Sequence, residues 1–351
     1  MNNINLAGRL VGQNQKPFII AEMSGNHNHS LDDALAIVDE AAKAGVDALK
    51  LQTYTPDTMT IDFKENEFFI NDKDSLWHGY SLYDLYKKAY TPWEWHKEIF
   101  ARCKKHGMLA FSTPFDHSAL EFLESLDVPF YKIASFENAD HDLVRRVAAT
   151  GKPVIISTGL ATLAELSETV QVARQSGCKD IILLKCTSAY PALPSDSNIL
   201  TIPHMRELFG CQIGLSDHTL GIGVAIASVA LGATVIEKHF TLKRSDGGVD
   251  ASFSLEPHEM ASLVLEAERA WSALGEVKYQ ITENEKKSLV FRRSLYVVED
   301  MKKGDVFSEK NLRTIRPGYG LAPKYYPLFI GARANCDIKR GTPLRWESLS
   351  Y

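Results

Sequence analysis

FIIAEMSGNHNHSLDDALAIVDEAAKAGVDALKLQT, residues 18–53, decides the fold. It opens on an apolar run at 18–23, passes into a stretch with helical spacing, and closes on a second apolar run at 48–53. Ser30, with Asp32 and Asp33 behind it, reads as a helix start, and Gly45 as its stop. Strand, helix and strand in so short a span form the repeating unit of a parallel sheet.

The unit recurs downstream. Strand-like runs follow at LAFSTP (109–114), FYKIAS (130–135), PVIISTG (153–159), IILLKC (181–186), QIGLSD (212–217) and TVIEKHF (234–240). Segments such as ATLAELSETVQVARQSG (161–177) carry helical spacing between them. Eight such strands predict an α/β fold, a closed (β/α)8 TIM barrel rather than an open doubly wound sheet. No G-x-G-x-x-G follows the first strand, which weakens a dinucleotide-binding alternative. The stretch 54–92 breaks the rhythm between the second strand and its helix. An insertion of that length on the active-site side of a barrel reads as a lid or wall, against the plainer possibility of a packed surface excursion. Beyond 280 the texture changes again. The barrel is expected over 1–280, a polar linker over 281–290 (ITENEKKSL), and a small β-rich domain over 291–351.

Composition narrows the function. The 351 residues are 45% hydrophobic and 24% charged, as in a globular protein. A net charge of −5 gives no footprint for nucleic acid or for an anionic membrane surface. No run of about 18 apolar residues exists to span a bilayer. GIGVAIASVALGATVI (221–236) is broken by glycines, and the N-terminal residues lack the apolar core of a signal peptide. Five cysteines without a C-x-x-C pair point to reduced thiols and a cytoplasmic protein.

Polar residues at the C-terminal ends of barrel strands read as catalytic. Glu22 ends the first strand, Lys50 and Gln52 share a face of the second, and Thr113 ends the third. The fourth carries Lys132, Ser135 and then Glu137, and Ser157, Ser188 and Ser216 stand at the next three ends. A hydroxyl there is often only a helix cap. Lys50 and Lys132 are harder to dismiss, because lysine is rarely buried unpaired. Lysines and hydroxyls around one cavity suit a phosphate or carboxylate. His218 and His239 end neighbouring strands and can reach one divalent ion. On spacing alone His27 and Asp217 compete with them.

FIIAEMSGNHN, ALKLQ, FSTPFD, YKIAS, ISTG, CTSAYP, GLSDHT, EKHFT and RPGYGL, in this order across residues 18–321, make the chain resemble the sialic acid synthases (NeuB-like). SLWHGYSLYDLYKKAYTPWEWH (75–96), GGVDASFSLEP (247–257) and KIASFE are most like the pseudaminic acid synthases within that family. His29 departs from the glycine common in relatives, and Ser188 from their asparagine. The resemblance makes the C-terminal domain a SAF (antifreeze-like) domain. It implies condensation of phosphoenolpyruvate with an open-chain amino sugar, with water adding and phosphate leaving by C–O cleavage. A divalent metal (Mn2+, Mg2+ or Co2+) on His218 and His239 would polarise the sugar aldehyde. Lys50 and Thr113 would take the carboxylate of phosphoenolpyruvate, and Lys132, Ser135, Ser157, Ser188 and Ser216 its phosphate. Glu22, Gln52, Glu137, Tyr190 and Asp250 would line the sugar and the attacking water, with proton transfer falling to Glu22 or Glu137. Arg316 would reach a partner's barrel in a domain-swapped homodimer and contact the substrate's acetamido group there. Methyl groups on a 6-deoxy diacetamido sugar suit aromatic walls such as Trp77, Tyr80 and Trp93, against the plainer role of packing the insertion, which is the one favoured for Trp93 and Trp95. The competing readings are an N-acetylneuraminate or legionaminate synthase, a Schiff-base aldolase using Lys50 or Lys132, and a carbohydrate-binding protein without catalysis.

Overall fold

In the computed structural model, which describes residues 2–349, an N-terminal hairpin of β1 (Ile4–Leu6) and β2 (Arg9–Val11) precedes the barrel. The barrel strands are β3 (Phe18–Glu22), β4 (Ala48–Thr53), β5 (Leu109–Pro114), β6 (Tyr131–Ile133), β7 (Val154–Ser157), β8 (Ile181–Cys186), β9 (Gln212–Asp217) and β10 (Val235–His239). All pair in parallel, and β10 closes onto β3 with His239 beside Glu22. The eight strands fall on the eight runs read from the sequence. The expected helix start and stop also hold. The Ser30 hydroxyl accepts from Asp33 N at 3.1 Å, and Gly45 leaves the helix Leu31–Ala44 at a φ of 85°.

Side-chain alternation sorts the barrel interior into layers. Phe18, Ile20, Ala48, Phe111, Phe130, Ile155, Ile182, Leu184 and Val235 fill its N-terminal half. Ile4, Leu6 and Val11 of the hairpin join that cluster. Gly214 is glycine because a Cβ there would stand 2.3 Å from Val235 O. One step further along the same faces come Glu22, Lys50, Thr113, Lys132, Ser157, Ser216 and Glu237, all buried. The opposite faces, including Leu49, Leu51 and Ile236, pack against the surrounding helices.

The 54–92 insertion contains helices Pro56–Met59 and Leu82–Ala89. Its tip is tied down where Trp77 Nε1 donates to Val249 O at 3.0 Å. Its base is pinned by histidines. His27 Nε2 bonds Thr91 Oγ1 at 3.1 Å, and His29 Nε2 bonds Lys87 O at 2.8 Å.

The chain divides into two compact units after Gly275, where composition had placed the break at 280. The expected linker holds a helical turn, Glu283–Lys286, because Thr282 and Glu285 form a capping box. The second unit pairs β11 (Ser294–Val297) with β12 (Leu312–Ile315) in antiparallel fashion. Its core is built on Leu295, Val297, Phe307, Leu312, Phe329 and Leu344. All five cysteines are free, four of them buried. Among the described residues no helix is long and apolar enough to cross a membrane.

Candidate active site

Four charges meet inside the barrel mouth. Lys132 Nζ lies 2.7 Å from Glu237 Oε1, and Lys50 Nζ lies 3.5 Å from the same oxygen. Lys50 also pairs with Glu22, and Ser216 Oγ donates to Glu237 at 3.1 Å. Each of the four side chains is at most 5% exposed. Burial alone would neutralise such groups, so pairing is what keeps them there. Burial opposes the Glu237 carboxylate, but Lys132 and Lys50 outweigh it and bring it down to about 2. For Glu22 burial prevails over Lys50 and pushes the carboxyl up. Burial likewise pushes the Lys132 ammonium down. An arriving anion thus meets two lysines already held in place.

A shelf of hydroxyls flanks Lys132. The Gly159 amide donates to Ser135 Oγ at 3.1 Å. A Cβ on Gly159 would lie 2.2 Å from Ser188 Oγ and 2.7 Å from Ser135 Oγ, so a side chain there would push both hydroxyls aside. Asn138 holds this turn from behind, donating to Ser157 O and Gly159 O at 3.2 and 3.0 Å. Among the described residues Ser157 Oγ is buried without a partner. Such an orphan costs about 1–3 kcal/mol, which a bound oxyanion would relieve.

His218 and His239 stand together, their ring centroids 5.3 Å apart. His218 Nδ1 bonds Thr187 O at 2.9 Å, so Nε2 is the acceptor in the neutral ring; burial opposes the charged ring, but Cys186 and Thr187 O outweigh it and push the imidazole up. His239 Nδ1 is buried without a hydrogen bond, 3.6 Å from Asp250 Oδ2. Burial and His218 hold the His239 imidazole well below its usual range, so it is neutral and able to ligate. Among the described residues no group of three His, Cys, Asp or Glu converges to hold an ion. The pair therefore fits an open site, with Asp250 beside it and coordination positions left for water and substrate.

The competing ligands face elsewhere. His27 is committed to Thr91 and the His29 amide, and burial lowers it to about 4. Asp217 accepts from Thr219 N and pairs with Lys238 at 3.0 Å. Lys238, on the outer face of β10, also donates to Thr219 O and Gly221 O and so fixes the loop that follows His218.

A cleft of about 280 Å³ opens beside Ser135, His239 and Asp250. Gln52, Ser135, Glu137, Tyr190, His239 and Asp250 line it. Glu137 Oε2 is buried and unpaired, and burial pushes its carboxyl up to about 7. The Tyr190 ring leans on His218 and Trp77 at 4.6 and 5.8 Å. The structure thus gathers every proposed barrel residue at one end. Arg316 lies exposed in the second unit. One wall aromatic needs correction. Tyr80 is exposed, its hydroxyl on Lys88 Nζ; Trp93 stacks on Phe122 at 4.7 Å, the packing role expected of it, so of the three only Trp77 lines the cleft. Glu237, absent from the expected site, was findable: it sits two residues before His239 on one strand, hence on the same face.

Residues 37–279 match the NeuB family, and residues 292–350 match the SAF domain. The chain is 45% identical to a pseudaminic acid synthase of Campylobacter jejuni, covering 94% of this chain and 96% of that one. It is 44% identical to the Helicobacter pylori pseudaminic acid synthase, over 95% and 98%. A crystal structure of N-acetylneuraminic acid synthetase from Leptospira borgpetersenii, in complex with citrate, superposes with a TM-score of 0.73. It is 34% identical and covers 82% of this chain and 95% of that one. With its barrel, its SAF domain and these relatives, the chain belongs to the NeuB family.

Proposed function

We propose that the chain makes pseudaminic acid from phosphoenolpyruvate, water and 2,4-diacetamido-2,4,6-trideoxy-β-L-altropyranose, releasing phosphate. The observation that carries this reading is the buried Lys50 and Lys132, both held on Glu237 at the C-terminal ends of the barrel strands, where His218 and His239 also stand together. The choice of sugar follows the 44–45% identity to pseudaminic acid synthases, against 34% to the N-acetylneuraminic acid synthetase.

Carbon 3 of phosphoenolpyruvate forms a bond to the aldehyde carbon of the open-chain sugar, and the aldehyde oxygen takes a proton. Water adds to carbon 2 and loses a proton. The tetrahedral centre then collapses to the keto acid as its C–O bond to phosphate breaks and its hydroxyl proton passes to the departing phosphate. Lys50 and Thr113 hold the carboxylate. Lys132, Ser135, Ser157, Ser188 and Ser216 hold the phosphate and stabilise charge as it leaves. Glu237 positions both lysines before substrate arrives. A divalent cation on His218 and His239, when bound, supplies Lewis-acid polarisation of the aldehyde oxygen. Glu137, with a carboxyl near 7, holds a transferable proton at neutral pH. Glu22, Gln52, Tyr190 and Asp250 orient the sugar and water.

The working unit is a homodimer in which Arg316 of one chain completes the other's cleft. Large apolar side chains exposed after β6 to β9, namely Phe136, Leu160, Leu193 and Leu220, offer a rim for a second copy. His218→Ala and Arg316→Ala chains should each be nearly inactive alone. Mixed, they should recover roughly a quarter of the sites, because half the dimers pair one chain of each kind and hold one intact cleft. Full activity in His218→Ala sinks the metal assignment, and failure of mixing to restore turnover sinks the role of Arg316 across the dimer.

A further inference from the structure

The reacting groups occupy one end of the cleft. The other end is the inner face of the 54–92 insertion, where Met59, Ile70, Leu82 and Leu85 present apolar side chains. Two phenols interrupt that wall. Tyr54 is 3% exposed, its ring edge-on to Tyr86 and Phe115 at 5.8 and 5.2 Å. Among the described residues neither the Tyr54 nor the Tyr86 hydroxyl has a hydrogen-bond partner. Burial pushes the Tyr54 phenol well above its usual range, so it keeps its proton and can donate. A phenol that lines the cleft without an acceptor is free to donate, so a group that fills this end gains by bringing one. It must also bring carbon to cover the leucines. A hydroxyl supplies only the first and a methyl only the second, whereas an acetamido group supplies both.

We propose that the lid end of the cleft is the subsite for the acetamido group on the sugar carbon remote from the aldehyde, its carbonyl oxygen accepting from Tyr54 and its methyl seated against Leu82 and Leu85. His239 and Asp250 mark the polar end of the same cleft. The acetamido group beside the aldehyde carbon stays with them, and the remote one reaches the lid. Sugar selectivity is then set by the insertion, while the barrel sets the chemistry. This subsite rests on the proposed diacetamido substrate.

The test measures kcat and KM at saturating phosphoenolpyruvate for sugars bearing a formamido, acetamido or propionamido group at the remote carbon. Leu85→Ala should move the acyl preference toward propionamido by about 10-fold relative to wild type, the scale of one methylene in an apolar pocket. Tyr54→Phe should raise the KM for the acetamido sugar about 10-fold, as expected for one lost hydrogen bond to a buried acceptor. In both variants kcat and the KM for phosphoenolpyruvate should stay within about two-fold. An unchanged acyl preference in Leu85→Ala, or a fall in kcat without a change in KM in Tyr54→Phe, overturns the subsite. A wild-type enzyme that fails to condense the diacetamido sugar overturns the proposed substrate itself, and this subsite with it.

Discussion

Phe130 and Lys132 stand two residues apart on one run of chain, both inside the barrel and both almost wholly buried. Phe130 belongs to an apolar layer with Phe111, Ile155 and Leu184. Lys132 belongs to an ionic layer with Lys50, Glu22 and Glu237. The same alternation that points one inward points the other inward. Position cannot tell them apart, and only the partners across the barrel do. The lower layer gains stability by removing carbon from water, and the upper layer spends some of it to hold charge where the proposed mechanism seats an anion.

Three substitutions probe that division. Lys132→Met keeps the volume and removes the charge. It should cut kcat/KM by about 10³-fold while thermal unfolding stays cooperative, since a donor to developing phosphate charge is lost. Near-normal turnover would show that the ionic layer is structural. Glu137→Gln should lower kcat about 10²-fold and remove a pH dependence near 7 from the rate profile. The same change should alter stability with a definite sign. The Glu137 carboxyl binds its proton more tightly in the folded state than in the unfolded one. The stability that goes with that proton is full at acid pH and is lost as pH rises toward about 7. At pH 8 the glutamine variant should therefore be more stable by about 1–3 kcal/mol in denaturant titration. Phe130→Ala should do the reverse of Lys132→Met. It should cost about 3–5 kcal/mol of stability, yet leave kcat/KM of the folded enzyme within about three-fold.

The upper layer was partly legible in the sequence. Lys50 and Lys132 stood out because a lysine in a strand otherwise made of apolar residues needs a reason. The eight strands were legible because each is a short apolar run followed by a helical period. The inward face of Glu237 was legible from its spacing to His239, but its role was not, because that lies in Lys132, which is 105 residues away in the chain and becomes a neighbour only when the barrel closes. The hairpin of β1 and β2 escaped for a different reason. Its strands are three residues each, and its turn is Ala7–Gly8, both at positive φ, without the Asn-Gly or Asp-Gly pair that usually marks such a turn. The lid wall was half legible. Its aromatics announced an apolar surface, but only the fold shows that Trp77 turns inward while Trp93 stacks on Phe122.

The ionic layer is claimed to grip phosphoenolpyruvate and release its phosphate by C–O cleavage. The most direct test supplies phosphoenolpyruvate carrying oxygen-18 in its bridging position, the diacetamido sugar and Mn2+, and follows both products by mass spectrometry. The account predicts pseudaminic acid with no label and phosphate retaining it. Label in the sugar acid, or phosphate release without a condensed product, would contradict it.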